Sequence, residues 1–320
     1  MFVSELLSLA AAACIALSGM LISELNGRVD VVRLARWQML AAFAMTGAAA
    51  LYLGGGLPEM SLRNFGLLGL SSLFGIMIAS TTYFAAIYTA GPRTTALLFT
   101  LASPFSLLLG FLFLGERITW MQGAGVGLVL AGILMAVGVR RRETVTAVEA
   151  PTTADTTGLP EENAAPVKPS AVAPQITTLG ITLGVITALG QALGSLFARP
   201  AMEAGVDPAA AMAVRSGLAA LFYLALLAVP AAALHQPYRF RASDLGIAVS
   251  AALFGTGLGM SLLMAALATG NVGIVTTLSS MTPVMILPMV WLRSGVPPIP
   301  AAWAGAAVAV AGTALISLGG

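Results

Sequence analysis

Ten long apolar stretches, separated by short runs of polar residues, Gly and Pro, make up most of the chain. They lie near 4–23, 35–53, 65–88, 94–114, 120–139, 176–197, 209–232, 243–267, 272–292 and 300–318. A helix needs about 17–25 residues to cross a bilayer, and these stretches are of that length. Backbone N–H and C=O groups in lipid must be satisfied within their own segment, so each stretch is expected to be helical. The first has no basic region before it and no clear cleavage signal. It is expected to be a retained span rather than a signal peptide.

The pattern fails once. Residues 140–175 begin with Arg140-Arg141-Arg142, continue with Thr, Pro, Glu and Ala, and include Pro151, Pro160, Pro166, Pro169 and Pro174. No packed face can form there, which predicts a disordered linker acting as a tether rather than a docking segment. It divides the chain into 1–139 and 176–320, with five stretches in each part.

The two parts carry the same landmarks. Gly91 and Gly270 differ by 179 positions, as do Pro104 and Pro283, Glu24 and Glu203, and Arg36 and Arg215. Gly125 and Gly305 differ by 180, as do Gly132 and Gly312. A spacing held over most of each half marks a duplicated unit. Five spans per unit reverse the second relative to the first, which predicts a pseudo-two-fold axis in the membrane plane. The fold class expected is an all-α polytopic membrane protein, with ten transmembrane helices in two inverted five-helix repeats.

Composition agrees with a bilayer. Hydrophobic residues make up 58% of the chain and charged residues 9%, where a soluble domain carries about 25% charged residues. Mean hydropathy is +0.94. The formal charge of +2 comes with no basic run interleaved with aromatics, so nucleic acid is excluded as a partner. Cys14 and His235 are the only residues of their types. That excludes intrachain disulfides, a multi-histidine metal site and the HExxH motif. No cofactor is expected.

With these landmarks in place, the first half resembles the EamA-type module of the drug/metabolite transporter superfamily. The resemblance rests on Gly91-Pro92-Arg93, Ser103-Pro104, the run Leu114-Gly115-Glu116-Arg117-Ile118-Thr119, Gly125 and Ala131-Gly132. The second half fits more weakly, and has Ser294-Gly295-Val296 where the family often repeats Gly-Glu-Arg. The resemblance implies ten helices in two inverted repeats and movement of small metabolites or drugs across the cytoplasmic membrane. Export by alternating access around a central cavity is the expected activity, with an uptake permease or a non-transport scaffold as alternatives. Partners expected are the bilayer and a small-molecule substrate, with a homodimer as the assembly to consider. The excess of Arg over Lys suggests, through codon usage, a GC-rich bacterial genome, and with the resemblance this implies the bacterial cytoplasmic (inner) membrane as the location.

Several residues are candidates for the cavity. Pro104 and Pro283 each follow a hydroxyl residue, Ser103 or Thr282, in mid-span. A proline frees one helix carbonyl, which needs a polar neighbour or a water-lined cavity in a membrane. The pair is therefore either a symmetric set of kinks at the cavity or a packing feature. Tyr83, Gln191 and Ser195 fall at membrane depth, where a phenol or an amide needs defined partners. Arg36 and Arg215 open the second span of each repeat and read as gate residues, as cations facing an anionic substrate group, or as snorkelling anchors. Gly115-Glu116-Arg117 is expected to shape a turn at the membrane surface rather than touch substrate.

No Asp or Glu falls in the middle of any span. A midplane carboxylate is the usual means of binding and releasing a proton, so facilitated diffusion or exchange stands level with proton antiport. The residues also supply no nucleophile with its base, and no enzyme is expected. Orientation has two opposed indications. Eleven of the 15 Lys and Arg residues fall in odd-numbered connections, which by the positive-inside rule places both termini outside. The resemblance places them in the cytoplasm.

Overall fold

The computed structural model describes residues 2–53, 60–138, 178–228, 241–294 and 300–318. Among these the structure is helical, with no strand. The first half contains α1 (Phe2–Glu24), α2 (Val31–Leu53), α3 (Leu62–Ser72), α4 (Ala79–Phe99), α5 (Ala102–Leu114) and α6 (Trp120–Gly138). The second contains α7 (Thr178–Glu203), α8 (Pro208–Ala225), α9 (Ala242–Ala252), α10 (Met260–Thr269), α11 (Val272–Ser279), α12 (Thr282–Ser294) and α13 (Pro300–Leu318). The linker expected over 140–175 lies outside the described residues.

Local chemistry sets several boundaries. Ser61 caps α3 by accepting the Asn64 N–H. Asp207 caps α8 by accepting the Ala210 N–H at 2.8 Å, and Pro208 occupies the first turn, where a missing N–H costs nothing. Asp30 accepts the Arg33 N–H at 2.9 Å at the start of α2.

Irregularities recur at the repeat spacing. A π-helical segment, Leu73–Ile78, joins α3 to α4, and another, Leu253–Gly259, joins α9 to α10. Left-handed turns follow α1 at Gly27 and α7 at Gly205. Helix α4 gives way to α5 at Thr100–Leu101, and α11 to α12 at Ser280–Met281. At both junctions N–H groups bond three residues back: Leu101 to Leu98 O at 3.1 Å, and Met281 to Leu278 O at 3.1 Å. Each junction is thus a short tightened turn.

One expected boundary is corrected. A break was expected at Gly91-Pro92, between stretches 65–88 and 94–114. Instead α4 runs through both residues to Phe99. A proline inside a helix costs one hydrogen bond, whereas unwinding the turn in lipid would free several backbone groups. In the second half the corresponding Gly270 does leave the helix, with φ −103° and ψ 152°.

Among the described residues, seven helical segments are long and apolar enough to cross a membrane. Two shorter apolar stretches, Trp120–Met135 and Pro300–Ile316, belong to α6 and α13. Helix α2 opens with Arg33 and Arg36 and is not among the seven.

The most extensive contact joins the repeat mates α6 and α13; α4 with α7, which are not mates, comes next, followed by the mates α2 and α8. Lipid offers no hydrophobic drive for helix association, so close backbone packing and buried hydrogen bonds must hold the halves together. Between α6 and α13 the packing is backbone on backbone. A Cβ on Gly125 would lie 2.8 Å from Gly312 O, and one on Gly132 would lie 2.6 Å from Gly305 O. Each glycine thus faces the mate of the other. The main core is built from Leu25, Leu34, Met39, Leu68, Ile87, Met202, Met212 and Leu263. Leu101, Leu108, Phe111 and Leu112 of the α5 segment face outward.

Candidate functional site

Helix α7 carries a polar stripe through the interior. Thr187, Gln191, Ser195 and Arg199 recur every four residues, so they share one face, and all four are buried. Thr187 Oγ1 lies 2.7 Å from Thr82 Oγ1 on α4. The Gln191 amide has no hydrogen bond among the described residues, and Ser195 Oγ is buried without a partner. The corresponding positions of α1 are Ser8, Ala12, Ala16 and Met20. The stripe is therefore a feature of α7 that α1 repeats only at Ser8.

Arg199 closes the stripe at one end. Its Nη1 donates to Leu267 O and to Ala268 O (3.2 Å), the last carbonyls of α10. Its Nη2 lies 2.7 Å from Glu203 Oε1 and its Nε 3.5 Å from Glu116 Oε1. Glu116 also accepts the Val272 N–H, at 2.9 and 3.1 Å. That N–H opens α11, where a carboxylate is favoured by the helix dipole. One carboxylate from the first half thus caps a helix of the second and holds the arginine that caps another.

The turn that places Glu116 depends on two glycines. Gly115 has φ +66°, a left-handed conformation, and the Glu116 N–H turns back to Gly110 O at 3.1 Å. A Cβ on Gly110 would meet Glu116 Oε2 at 2.7 Å. The family-like run Gly115-Glu116-Arg117 therefore does more than the turn-shaping expected of it. Arg117 itself is exposed.

The helix junctions bring the halves together a second time. Ser103 Oγ bonds Thr277 Oγ1, which in turn donates to Gly273 O at 2.7 Å. Thr282 Oγ1 donates to Ser279 O at 3.0 Å and approaches Ala12 O at 3.4 Å. Pro104 and Pro283 sit in the first turns of α5 and α12 rather than in the middle of a continuous helix. The carbonyls they would have engaged, Thr100 O and Ser279 O, accept the Ser103 N–H (3.1 Å) and the Thr282 hydroxyl (3.0 Å). Neither carbonyl is left without a partner. Pro283 is buried, whereas Pro104 lies on the outward stripe with Leu101 and Leu108.

Tyr83 packs edge-on against Phe84 and Phe99, with centroids 5.9 and 6.0 Å away. Its hydroxyl reaches α1, 3.3 Å from where a Cβ on Gly19 would stand. The paired arginines differ. Arg36 is half-buried near Asp30. Arg215 is 1% exposed, and is not the snorkelling anchor weighed from the sequence. Its Nη1 lies 3.3 Å from Met212 Sδ and 3.2 Å from Met264 Sδ. The structure therefore groups Gln191 and Ser195 on one helix face, pairs Ser103 with a residue of the other half, and sets Pro104 apart.

Sequence reasoning passed over Arg199 and Tyr223. Tyr223 is fully buried, and its hydroxyl lies 2.6 Å from Thr81 Oγ1 and 3.2 Å from Met77 O in the first π segment. The four-residue spacing from Thr187 to Arg199 was readable and would have found Arg199. Nothing in the chain flags Tyr223.

Comparison with known proteins gives the family and the fold. The model of a family described as "EamA-like transporter family" matches residues 3–138 and again 178–318. No curated protein sequence matches the chain. A solved structure described only as "Crystal structure of protein" is 19% identical, with a TM-score of 0.72, over 98% of this chain and 97% of that one.

Proposed function

Since the chain belongs to the EamA-like transporter family, an assignment to membrane transport rather than enzymatic catalysis, we propose that it exports small metabolites or drugs. Amino-acid-like or amphipathic compounds cross the bacterial cytoplasmic membrane by alternating access between the two repeats. The carrying observation is the polar stripe of α7: among the described residues the buried Ser195 hydroxyl has no partner, and no hydrogen bond involves the buried Gln191. Buried polar groups are normally bonded. Donors left open on one face of a buried helix are suited to a passing ligand.

The remaining features support the same reading. Irregular backbone at membrane depth is tolerated only where it is enclosed by protein or lines a cavity. Here it comes in mate pairs: two π segments and two tightened turns. That pairing, with contacts between mates α2 and α8, supports ten helices in two inverted repeats, over 1–139 and 176–320. The substrate path involves Tyr83, Ser103, Gln191, Ser195, Thr282 and Pro283.

Coupling follows from the acids. Among the described residues Glu5, Glu24, Asp30, Glu116, Glu203, Asp207 and Asp244 all stand at helix ends. This supports facilitated diffusion or exchange over proton antiport. The test is flux of labelled amino acids and cationic drugs into liposomes holding the purified protein, with and without a protonophore. Protein-dependent flux unchanged by the protonophore is expected. Flux abolished by it would overturn the coupling assignment.

A further inference from the structure

Arg215 is a buried cation without a counter-charge. None of the described ion pairs involves it. Its Nη1 meets only two thioether sulfurs, which are weak acceptors. Its Nε has no partner. Its Nη2 faces backbone: a Cβ on Gly75 would lie 2.9 Å both from Nη2 and from Gly194 Cα. An unpaired charge in a membrane interior is costly, and such residues usually serve a ligand.

The other buried arginine of the same interior does meet acids. Arg199 has two carboxylates and two carbonyls. The repeat mate Arg36 lies near Asp30. Among the described buried arginines Arg215 alone has no ion pair, and its backbone is held firmly. Ser72 Oγ donates to Arg215 O at 2.6 Å, and the next residue, Ser216, lies 3.3 Å from Thr46 across the halves. The guanidinium also stands beside α7. Gly194 touches Gly75 at the same point, and its neighbour Ser195 is the buried hydroxyl without a partner.

We propose that Arg215 is the counter-charge for a carboxylate on the transported molecule, with the Ser195 hydroxyl as a second donor. A guanidinium offers a planar fork that matches a carboxylate, and it stays charged. The cargo is then a small organic acid, zwitterionic amino acids included, and purely cationic amphiphiles are poor cargo. The assignment rests on the transport reading above.

The test compares alanine, phenylalanine and benzoate with their amides, and with chloride. Each is measured by thermal shift on the detergent-solubilised full chain and by flux in liposomes, for wild type, Arg215→Met and Arg215→Lys. The carboxylates are expected to stabilise the wild type and to cross, the amides to do neither. Arg215→Met should weaken the carboxylate response about tenfold to a hundredfold. Should that variant not fold, Arg215→Lys carries the test: it keeps the charge but not the fork, and should bind carboxylates more weakly while still rejecting amides. Amides that cross as fast as carboxylates, in wild type and variants alike, overturn the carboxylate site and leave transport standing. An Arg215-dependent shift without flux of any compound overturns transport and leaves the carboxylate site. A shift with chloride equal to that with carboxylates, or no shift and no flux at all, overturns the proposal.

Discussion

Glu116 closes a turn of the first repeat, yet its carboxylate bonds a backbone N–H of the second and pairs with Arg199. Removing it leaves a buried arginine short of a charge and a helix start without its cap. Glu116→Ala is therefore expected to destabilise the protein by about 1–3 kcal/mol. Glu116→Gln keeps an acceptor for Val272 and should cost less. Thermal unfolding in detergent checks the ranking, and equal melting of both variants and the wild type would remove the capping role. Gly110→Ala should imitate the loss of Glu116, because its Cβ would occupy the space of the carboxylate. The residues of this tie were unequally legible. Gly115 and Glu116 stood out as a motif, but their partners lie about 80–160 positions away. Only the register between helices reveals them, and sequence periodicity does not carry that register.

At the scale of helices, repeat spacing located the features that backbone sterics impose. The glycines of α6 and α13 fell at mate positions and proved to be a close backbone approach. Gly132→Leu should push these helices apart and lower the yield of folded protein, whereas a leucine at Gly127, which meets nothing within 4 Å, should be tolerated. Size-exclusion profiles of the two variants check this, and an unaffected Gly132→Leu would contradict the packing. The sequence misled at Gly91-Pro92, where a helix-breaking pair proved compatible with a continuous α4. It also left open whether the paired prolines free their carbonyls. Both carbonyls turn out to be bonded, through groups that the sequence alone does not aim. The Ser103–Thr277 bond links a junction of one half to a helix of the other. A double-mutant cycle of Ser103→Ala and Thr277→Val should therefore show a coupling of roughly 0.6 kcal/mol. Additive effects would mean that the contact does not join the halves energetically.

At the scale of the molecule, the halves meet through mate helices, a carboxylate tie and buried hydroxyls. These contacts do not depend on residues 140–175. Fragments 1–140 and 176–320, co-expressed, are expected to assemble and co-purify, and fragments that never associate while the intact chain folds would show the linker to be essential. Duplication and membrane class were readable from hydropathy and spacing. The burial of the α7 stripe, and the lack of an acid beside Arg215, became visible only in the packed structure. The central claim is that this assembly moves a small solute across a bilayer. The most direct measurement is counterflow: liposomes containing the purified chain are preloaded with unlabelled amino acid, and uptake of the labelled compound is followed against protein-free liposomes. Saturable uptake that rises with preloading and persists with a protonophore is the expected result. Uptake no faster than in protein-free liposomes, for every amino acid and drug in the panel, would contradict it.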